Sequence, residues 1–443
     1  MTPFEVELIS RLEAIRSQGL YRQLRRVDSP QVTHVAIEGK TFLNFSSNDY
    51  LGLANELALK EAAIKAIERY GAGSGASRLI CGSLAPHCEL EDLLAQFKNC
   101  EAALTFSTGY AAAVGTICAL MSKEDVIILD KLVHASIVDA ARLSGAKLRV
   151  FDHNDLSDLE KILKWSDERG GTATATERSQ VLIVTESIFS MDGDCAPLVE
   201  IVHLKNKYGA WLMVDEAHGT GLYGANRRGF AEELNVSDQI EIQMGTLGKA
   251  IGASGGYICG SRALIDLLVN RARSFIFSTA PVPASSAAAS AGIRLVQSAE
   301  GEKRQRLLWE RVRQSRTGIP LVSPSEAPDL FEIRNRQDNV FGGVVGKIST
   351  EPVGADSLSQ RERETRADGA IIPIIIGDET KTLEAAAALR ERGIFVPAVR
   401  YPTVARGVAR LRVTLTAAHS NDDVTRLLAA LKELGIPQSK RHG

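Results

Sequence analysis

The sequence predicts an α/β fold: a large domain on a seven-stranded, mostly parallel sheet, followed by a smaller α+β domain at the C-terminus. Three observations carry that expectation. Between residues 101 and 260, seven short apolar runs alternate with helix-length segments, the pattern of buried parallel strands joined by crossovers. Polar and ionisable residues collect just after these runs rather than before them. Beyond residue 370 the order changes to strand, helix, strand, strand, helix.

Composition bounds the function. The chain has 443 residues, 44% of them hydrophobic and 24% charged, which leaves room for a large core. Its net charge of −2 shows no footprint for nucleic acid or an anionic membrane. The apolar run Ala111–Met121 is too short to span a bilayer. Glutamates near the start stand where a signal peptide needs basic and apolar residues. The six cysteines form no CxxC pair, so the expectation is a reduced, cytoplasmic protein without a metal site.

In chain order, residues Pro3–Leu24 predict a helix through Leu8, Leu12, Ile15 and Leu20, ending in an arginine cluster with Arg22, Arg25 and Arg26. Residues 1–48 are expected to form an N-terminal helical arm, 49–290 the large domain and 291–443 the small one. Asn44–Gly52 reads as a polar turn, and Glu56–Tyr70 as a helix. The following Gly71–Ala76 matches G-x-G-x-x-A, but a helix precedes it where the dinucleotide fingerprint needs a strand, so nicotinamide binding is rejected. The seven runs are Ala102–Phe106, Val126–Leu129, Leu148–Phe151, Val181–Thr185, Trp211–Val214, Ile240–Met244 and Tyr257–Cys259, with a helix at Tyr110–Met121. A stretch near 322–368, rich in Pro, Gly, Ser and charge, reads as an exposed insertion. Then come a strand (Ala370–Ile376), a helix (Lys381–Arg392), two strands (Phe395–Val399, Arg410–Thr416) and a helix (Asp422–Leu434).

In sheets of this kind ligands bind beyond the carboxyl ends of the strands. Those ends carry Ser107–Tyr110, Asp130 and His134, His153, Glu186, Asp215 and His218, and Thr246 and Lys249. Lys249 stands among small residues in Thr246–Tyr257, where lost hydration lowers its pKa and frees the amine to form a Schiff base with an aldehyde. Asp215 ends a buried run and needs a cation; a protonated pyridine nitrogen is one, as in pyridoxal phosphate enzymes. His218 is placed to reach the ring oxygen and His134 the ring face, while a helix opening at Gly109-Tyr110 suits a phosphate. Asp215-Glu216-Ala217-His218 also spells a helicase box. That reading fails, because Gly248-Lys249 and Gly346-Lys347 lack the rest of a phosphate-binding loop and both lie downstream.

Over nearly the whole chain outside the insertion, the sequence resembles the α-oxoamine synthases, pyridoxal phosphate enzymes of fold type I. The resemblance rests on Asn44–Gly52, Ser107–Ala111, His134–Ser136, Phe189–Asp194, Asp215–Gly219, Thr246–Gly256, Arg271–Pro281, Arg400–Thr403 and Arg410–His419. It implies that Lys249 holds the cofactor covalently and later moves the proton at the amino-acid α-carbon, with His134 and Asp215 the other catalytic groups. Ser190 and Thr246 would also contact the cofactor, and Gly109 and Tyr110 its phosphate. Arg412 would bind the amino-acid carboxylate, with Arg22, Asn48, His134, Arg400 and Thr403 also on the substrate side. Ser278 and Thr279 would reach the phosphate of a neighbouring subunit, which makes the working unit a homodimer with shared sites. The implied substrates are L-alanine and a pimeloyl thioester, carried on coenzyme A or an acyl carrier protein. The alternative is a sister reaction joining glycine to a short acyl-CoA. Tyr401 departs from the family, where many relatives have proline, and so does the insertion.

Overall fold

The computed structural model describes residues 1–170, 179–316 and 369–436. The expected insertion near 322–368 lies outside the described residues apart from its surroundings. Helix α1 (Pro3–Ser17) opens with a capping box, Thr2 and Glu5 satisfying each other's backbone. It stops before the expected Leu24, because Gly19 turns into a left-handed conformation at φ 68°. Residues inside the expected helical arm then form a hairpin, β1 (His34–Ile37) and β2 (Lys40–Asn44). Helix α2 (Leu57–Tyr70) follows, capped by the Glu56 side chain and ended by Gly71 at φ 83°. One π turn (Arg78–Gly82) leads to α3 (Ala85–Lys98), where Pro86 sits in the first turn and Leu90, Leu94 and Phe97 are buried.

Next come β3 (Ala102–Phe106), α4 (Gly109–Leu120), β4 (Val126–Asp130), α5 (Ala135–Ser144), β5 (Lys147–Phe151), α6 (Leu156–Gly170), β6 (Val181–Glu186), α7 (Leu198–Tyr208) and β7 (Trp211–Asp215). After a short helix α8 (Phe230–Glu233), β8 (Ile242–Thr246) and β9 (Gly256–Gly260) complete a seven-stranded sheet in the order β3-β9-β8-β7-β6-β4-β5. β9 runs antiparallel to both neighbours, and every other pairing is parallel. The expected fold class is therefore the observed one. The central strands are apolar at nearly every position because helices cover both faces. Ile128, Ile183, Leu212 and Val214 face one core, and Ile127, Leu182, Val184 and Met213 the other.

Helices α9 (Arg262–Arg271), α10 (Arg273–Ile276), α11 (Pro283–Gln297) and α12 (Ala299–Arg316) lead away from the sheet. The C-terminal part contains β10 (Ile371–Gly377), α13 (Glu379–Glu391), β11 (Ile394–Phe395), β12 (Ala398–Val399), β13 (Ala409–Thr414) and α14 (Asn421–Glu433). The expected strand Phe395–Val399 is split in two. Pro397 has no N–H for a ladder, and the chain changes sheets there. β11 pairs parallel with β2, whereas β12 joins the antiparallel sheet β10-β13-β12. The N-terminal hairpin thus belongs structurally with the C-terminal region. Among the described residues no helix is long and apolar enough to cross a membrane.

Candidate active site

The carboxyl ends of β6, β7 and β8 bring Glu186, Asp215 and Lys249 together. Parallel register sets Glu186 beside Asp215 on adjacent strands, and the chain turns after β8 to carry Lys249 back over them. That turn is built by close backbone contact. A side chain at Gly252, at φ 73°, would meet the Leu53 backbone at 2.6 Å. Thr246 Oγ1 donates to the Gly255 carbonyl at 3.0 Å and accepts the Gly248 N–H at 3.2 Å, so this hydroxyl shapes the lysine loop.

Lys249 Nζ lies 2.7 Å from His218 Nε2, and His218 Nδ1 lies 2.6 Å from the Tyr50 hydroxyl. Loss of hydration pushes the Lys249 ammonium down to about 8, although the Asp215 and Glu186 carboxyls pull it up. His218 falls well below the ordinary histidine range, first through burial and then through the nearby Lys249 and Arg412 cations. His134 is also lowered, mainly by burial. Its Nδ1 accepts the Ser136 N–H at 3.2 Å, which caps α5 and leaves the ring proton on Nε2.

The two carboxyls carry the opposite strain. Burial raises Asp215 above the usual carboxylate range, against the pull of Lys249. Its Oδ1 accepts the Ala217 N–H at 2.9 Å, and among the described residues it has no ion pair. A buried carboxylate without a cation costs several kcal/mol as an order of magnitude. Asp215 therefore fits a group that brings a positive charge, such as a protonated aromatic nitrogen. Glu186 is driven higher still, by burial and by Asp215, and its Oε1 has no hydrogen-bond partner among the described residues. The N-terminus of α4 stands over β8 and β9: a side chain at Gly256 would strike Gly109 N at 2.7 Å. Free N–H groups there suit an anion such as a phosphate. Tyr110 is half exposed and donates to Asp139 Oδ2 at 3.0 Å.

β13 supplies a buried cation. Arg412 is buried, donating from Nε to the Ser190 carbonyl at 2.7 Å and from Nη1 to Asn48 Oδ1 at 3.1 Å. Ser190 is itself held by its N–H bond to Glu186 Oε2 at 3.1 Å. Arg412, Asn48 and Ser190 thus form one network that continues through Tyr50 to His218 and Lys249. Arg400 does something different: its guanidinium binds the carbonyls of Gly19 and Tyr21, tying down the exposed segment that carries Arg22. Thr403 is exposed one turn further on, its N–H bonded to the Arg400 carbonyl at 3.0 Å. Ser278 and Thr279 are not brought into this cluster. Thr279 pairs with Ser77 in an isolated bridge, beside Arg78 and Phe275.

Three residues carry no assigned role on sequence grounds. Tyr50 lay inside a recognised motif, but its partner His218 is 168 positions away. Glu186 was visible as a strand-end carboxyl without a task. His153, visible in the same way, lies outside the lysine cluster and bridges Asp130 and Asp194 at 2.9 and 2.8 Å.

Comparison with known proteins accords with this geometry. The aminotransferase class I and II family matches residues 40–319 and 356–431. An 8-amino-7-oxononanoate synthase of Geobacter sulfurreducens is 43% identical over 96% of this chain and 98% of its own. Its namesake in Thermoanaerobacter pseudethanolicus is 40% identical over 96% and 95%. Among solved structures, serine palmitoyltransferase of Sphingomonas wittichii superposes with a TM-score of 0.79 at 30% identity, covering 97% of this chain and 98% of that one. An 8-amino-7-oxononanoate synthase of Francisella tularensis gives 0.65 at 25% identity, covering 89% and 98%. With its family match spanning most of the sequence and its lysine, carboxylates and arginine converging on one site, this chain belongs to the aminotransferase class I and II family.

Proposed function

We propose that the protein is an acyltransferase that uses pyridoxal phosphate to condense L-alanine with a pimeloyl thioester. The products are 8-amino-7-oxononanoate, carbon dioxide and the free thiol, a step of biotin biosynthesis. The observation that carries the reading is Lys249, a lysine depressed to about 8 that faces His218 and sits between Asp215 and Arg412. Bound there, the cofactor supplies an electron sink for negative charge at the amino-acid α-carbon.

The chain's residues do the rest. Lys249 would hold the cofactor by its amine and, once free, would take the proton from the amino-acid α-carbon. Asp215 would hold a positive ring nitrogen, and His218 and His134 would contact the ring. The start of α4 at Gly109 and Tyr110 holds the phosphate, with Ser190 and Thr246 close by. Arg412 receives the alanine carboxylate until it leaves as carbon dioxide, and Asn48 orients Arg412. Arg400 holds the segment bearing Arg22, so that Arg22 and Thr403 flank the acyl entrance. As the new carbon–carbon bond forms, the acyl carbon–sulfur bond breaks and the thiol departs. In this reading residues 49–290 bind the cofactor, and residues 291–443 bring Arg412 to it.

The same reading makes the protein a cytoplasmic homodimer with shared sites. Helix α1 buries none of its residues within the chain, and Ile80 and Phe277 are 79% and 72% exposed. A lone helix of this length is marginal in water, so a second subunit is its natural support. Ser278 and Thr279 then serve the partner's phosphate. Thiol release should be measured with alanine, glycine and serine, each crossed with pimeloyl, acetyl and palmitoyl thioesters on coenzyme A and on a carrier protein. Alanine with a pimeloyl thioester should turn over fastest. Serine with palmitoyl or glycine with acetyl in first place would replace this reading by a sister reaction.

A further inference from the structure

We propose that Tyr50 is a positioning residue that fixes the proton of His218 on Nε2, so that His218 presents a donor to Lys249 and to whatever group reacts there. Tyr50 lies in the loop after β2 and is 1% exposed. Its hydroxyl has two acceptors in range, His218 Nδ1 at 2.6 Å and Asn48 Oδ1 at 3.4 Å. The nearby Arg412 guanidinium spends its bonds on the Ser190 carbonyl, Asn48 Oδ1 and Thr414 Oγ1. A phenol has one hydroxyl proton to place. Asn48 Oδ1 already accepts from Arg412 at 3.1 Å, and a 3.4 Å bond is weak beside one of 2.6 Å. The proton therefore goes to Nδ1.

Neutral imidazole has one N–H, so an accepting Nδ1 puts that N–H on Nε2. The groups facing His218 are Tyr50, Lys249, Arg412 and His134. None is a carboxylate, and burial with these cations keeps the ring neutral. The phenol, pushed up to about 12 by burial, keeps its proton across the working range. Nε2–H then points at Lys249 Nζ from 2.7 Å, a contact only a neutral amine can accept. The reverse polarity fails on distance. An ammonium donating to Nε2 would move the ring proton to Nδ1, make Tyr50 an acceptor and strand its hydroxyl proton on the 3.4 Å contact. The catalytic consequence, a donor aimed at the cofactor's ring oxygen, rests on the proposed function; the tautomer does not.

The test is nitrogen NMR of the cofactor-free protein with labelled histidines, the His218 signals assigned through His218→Gln. At pH 9, above the Lys249 midpoint of about 8, the parent should show an accepting Nδ1 and a protonated Nε2. Tyr50→Phe, which deletes one oxygen, should lose that single tautomer. It should also raise the Lys249 midpoint by up to about one unit, as expected for one hydrogen bond to the neutral amine. In the loaded enzyme kcat should fall roughly tenfold or more, with the thioester KM little changed. A protonated Nδ1 or an imidazolium in the parent would overturn the inference. So would a folded Tyr50→Phe with tautomer and Lys249 midpoint unchanged. The parent spectrum does not depend on Tyr50→Phe, so misfolding of that variant does not remove the test. If no substrate pair turns over while the tautomer is found, the functional reading falls and this one stands.

Discussion

Lys249 and His153 follow strands of the same sheet, at the same end, and the fold moves their protons in opposite directions. Burial pulls both down. At His153 two carboxylates touch the ring, Asp130 at 2.9 Å and Asp194 at 2.8 Å, and together they lift it to about 10. At Lys249 the carboxyls of Asp215 and Glu186 attract the amine without forming an ion pair, and burial wins, leaving it near 8. Contact distance separates a permanent structural cation from a reactive amine. His153 uses its charge to tie the loop after β6, which contains Ser190, to the end of β4. Lys249 has its charge weakened so that it can react.

Deleting the reactive member should have the largest effect. Lys249→Ala should lower thiol release by about a thousandfold or more, since both covalent attachment and proton transfer go with it. In the parent, borohydride should fix the cofactor on the peptide containing Lys249; fixation on another lysine would contradict the assignment. Asp215→Asn comes next, with kcat falling by about 10²–10³-fold as the charge opposite the ring nitrogen is lost. It also removes a group that raises Lys249, so the lysine midpoint should drop below about 8. A rise would mean that Asp215 is not beside the amine.

His153→Gln should do the reverse: leave kcat within a few-fold and cost about 3–5 kcal/mol of stability, because two carboxylates lose their shared cation. The sign with pH follows from the raised pKa. The His153 contribution is complete below its ordinary value of 6.5 and is lost as pH rises through about 10. The gap in urea midpoint between parent and variant should therefore narrow across that window. A gap that widens there would reverse the assignment.

The sheet was legible because its central strands β4, β6 and β7 are apolar at nearly every position, a pattern that survives without knowledge of neighbours. Helix α3 has Pro86 opening it and Leu90, Leu94 and Phe97 at helical spacing, but its start is masked by the glycine-rich Gly71–Gly82 just before it. The hairpin of β1 and β2 was harder. Its pairing partner β11 lies some three hundred and fifty residues away, and Val35, Ile37 and Phe42 make only a small cluster. The strand-end rule found Lys249, Asp215 and His218, but it also gathered His153, since position along a strand says nothing about which carboxylate lies at 2.9 Å. Tyr50 and the orientation of Arg412 depend on contacts between β13, the loop after β2 and the β6 end, which no local spacing encodes.

Burial weakens the Lys249 ammonium before any cofactor arrives, so that a neutral amine is within reach near pH 8. The direct test is the rate at which an amine-specific acylating reagent modifies Lys249 in the cofactor-free protein, followed from pH 6 to 11 by mass spectrometry of its peptide. Modification should rise with pH around a midpoint near 8. A midpoint at 10.5, the ordinary lysine value, would show that burial does not weaken this charge and would contradict the account.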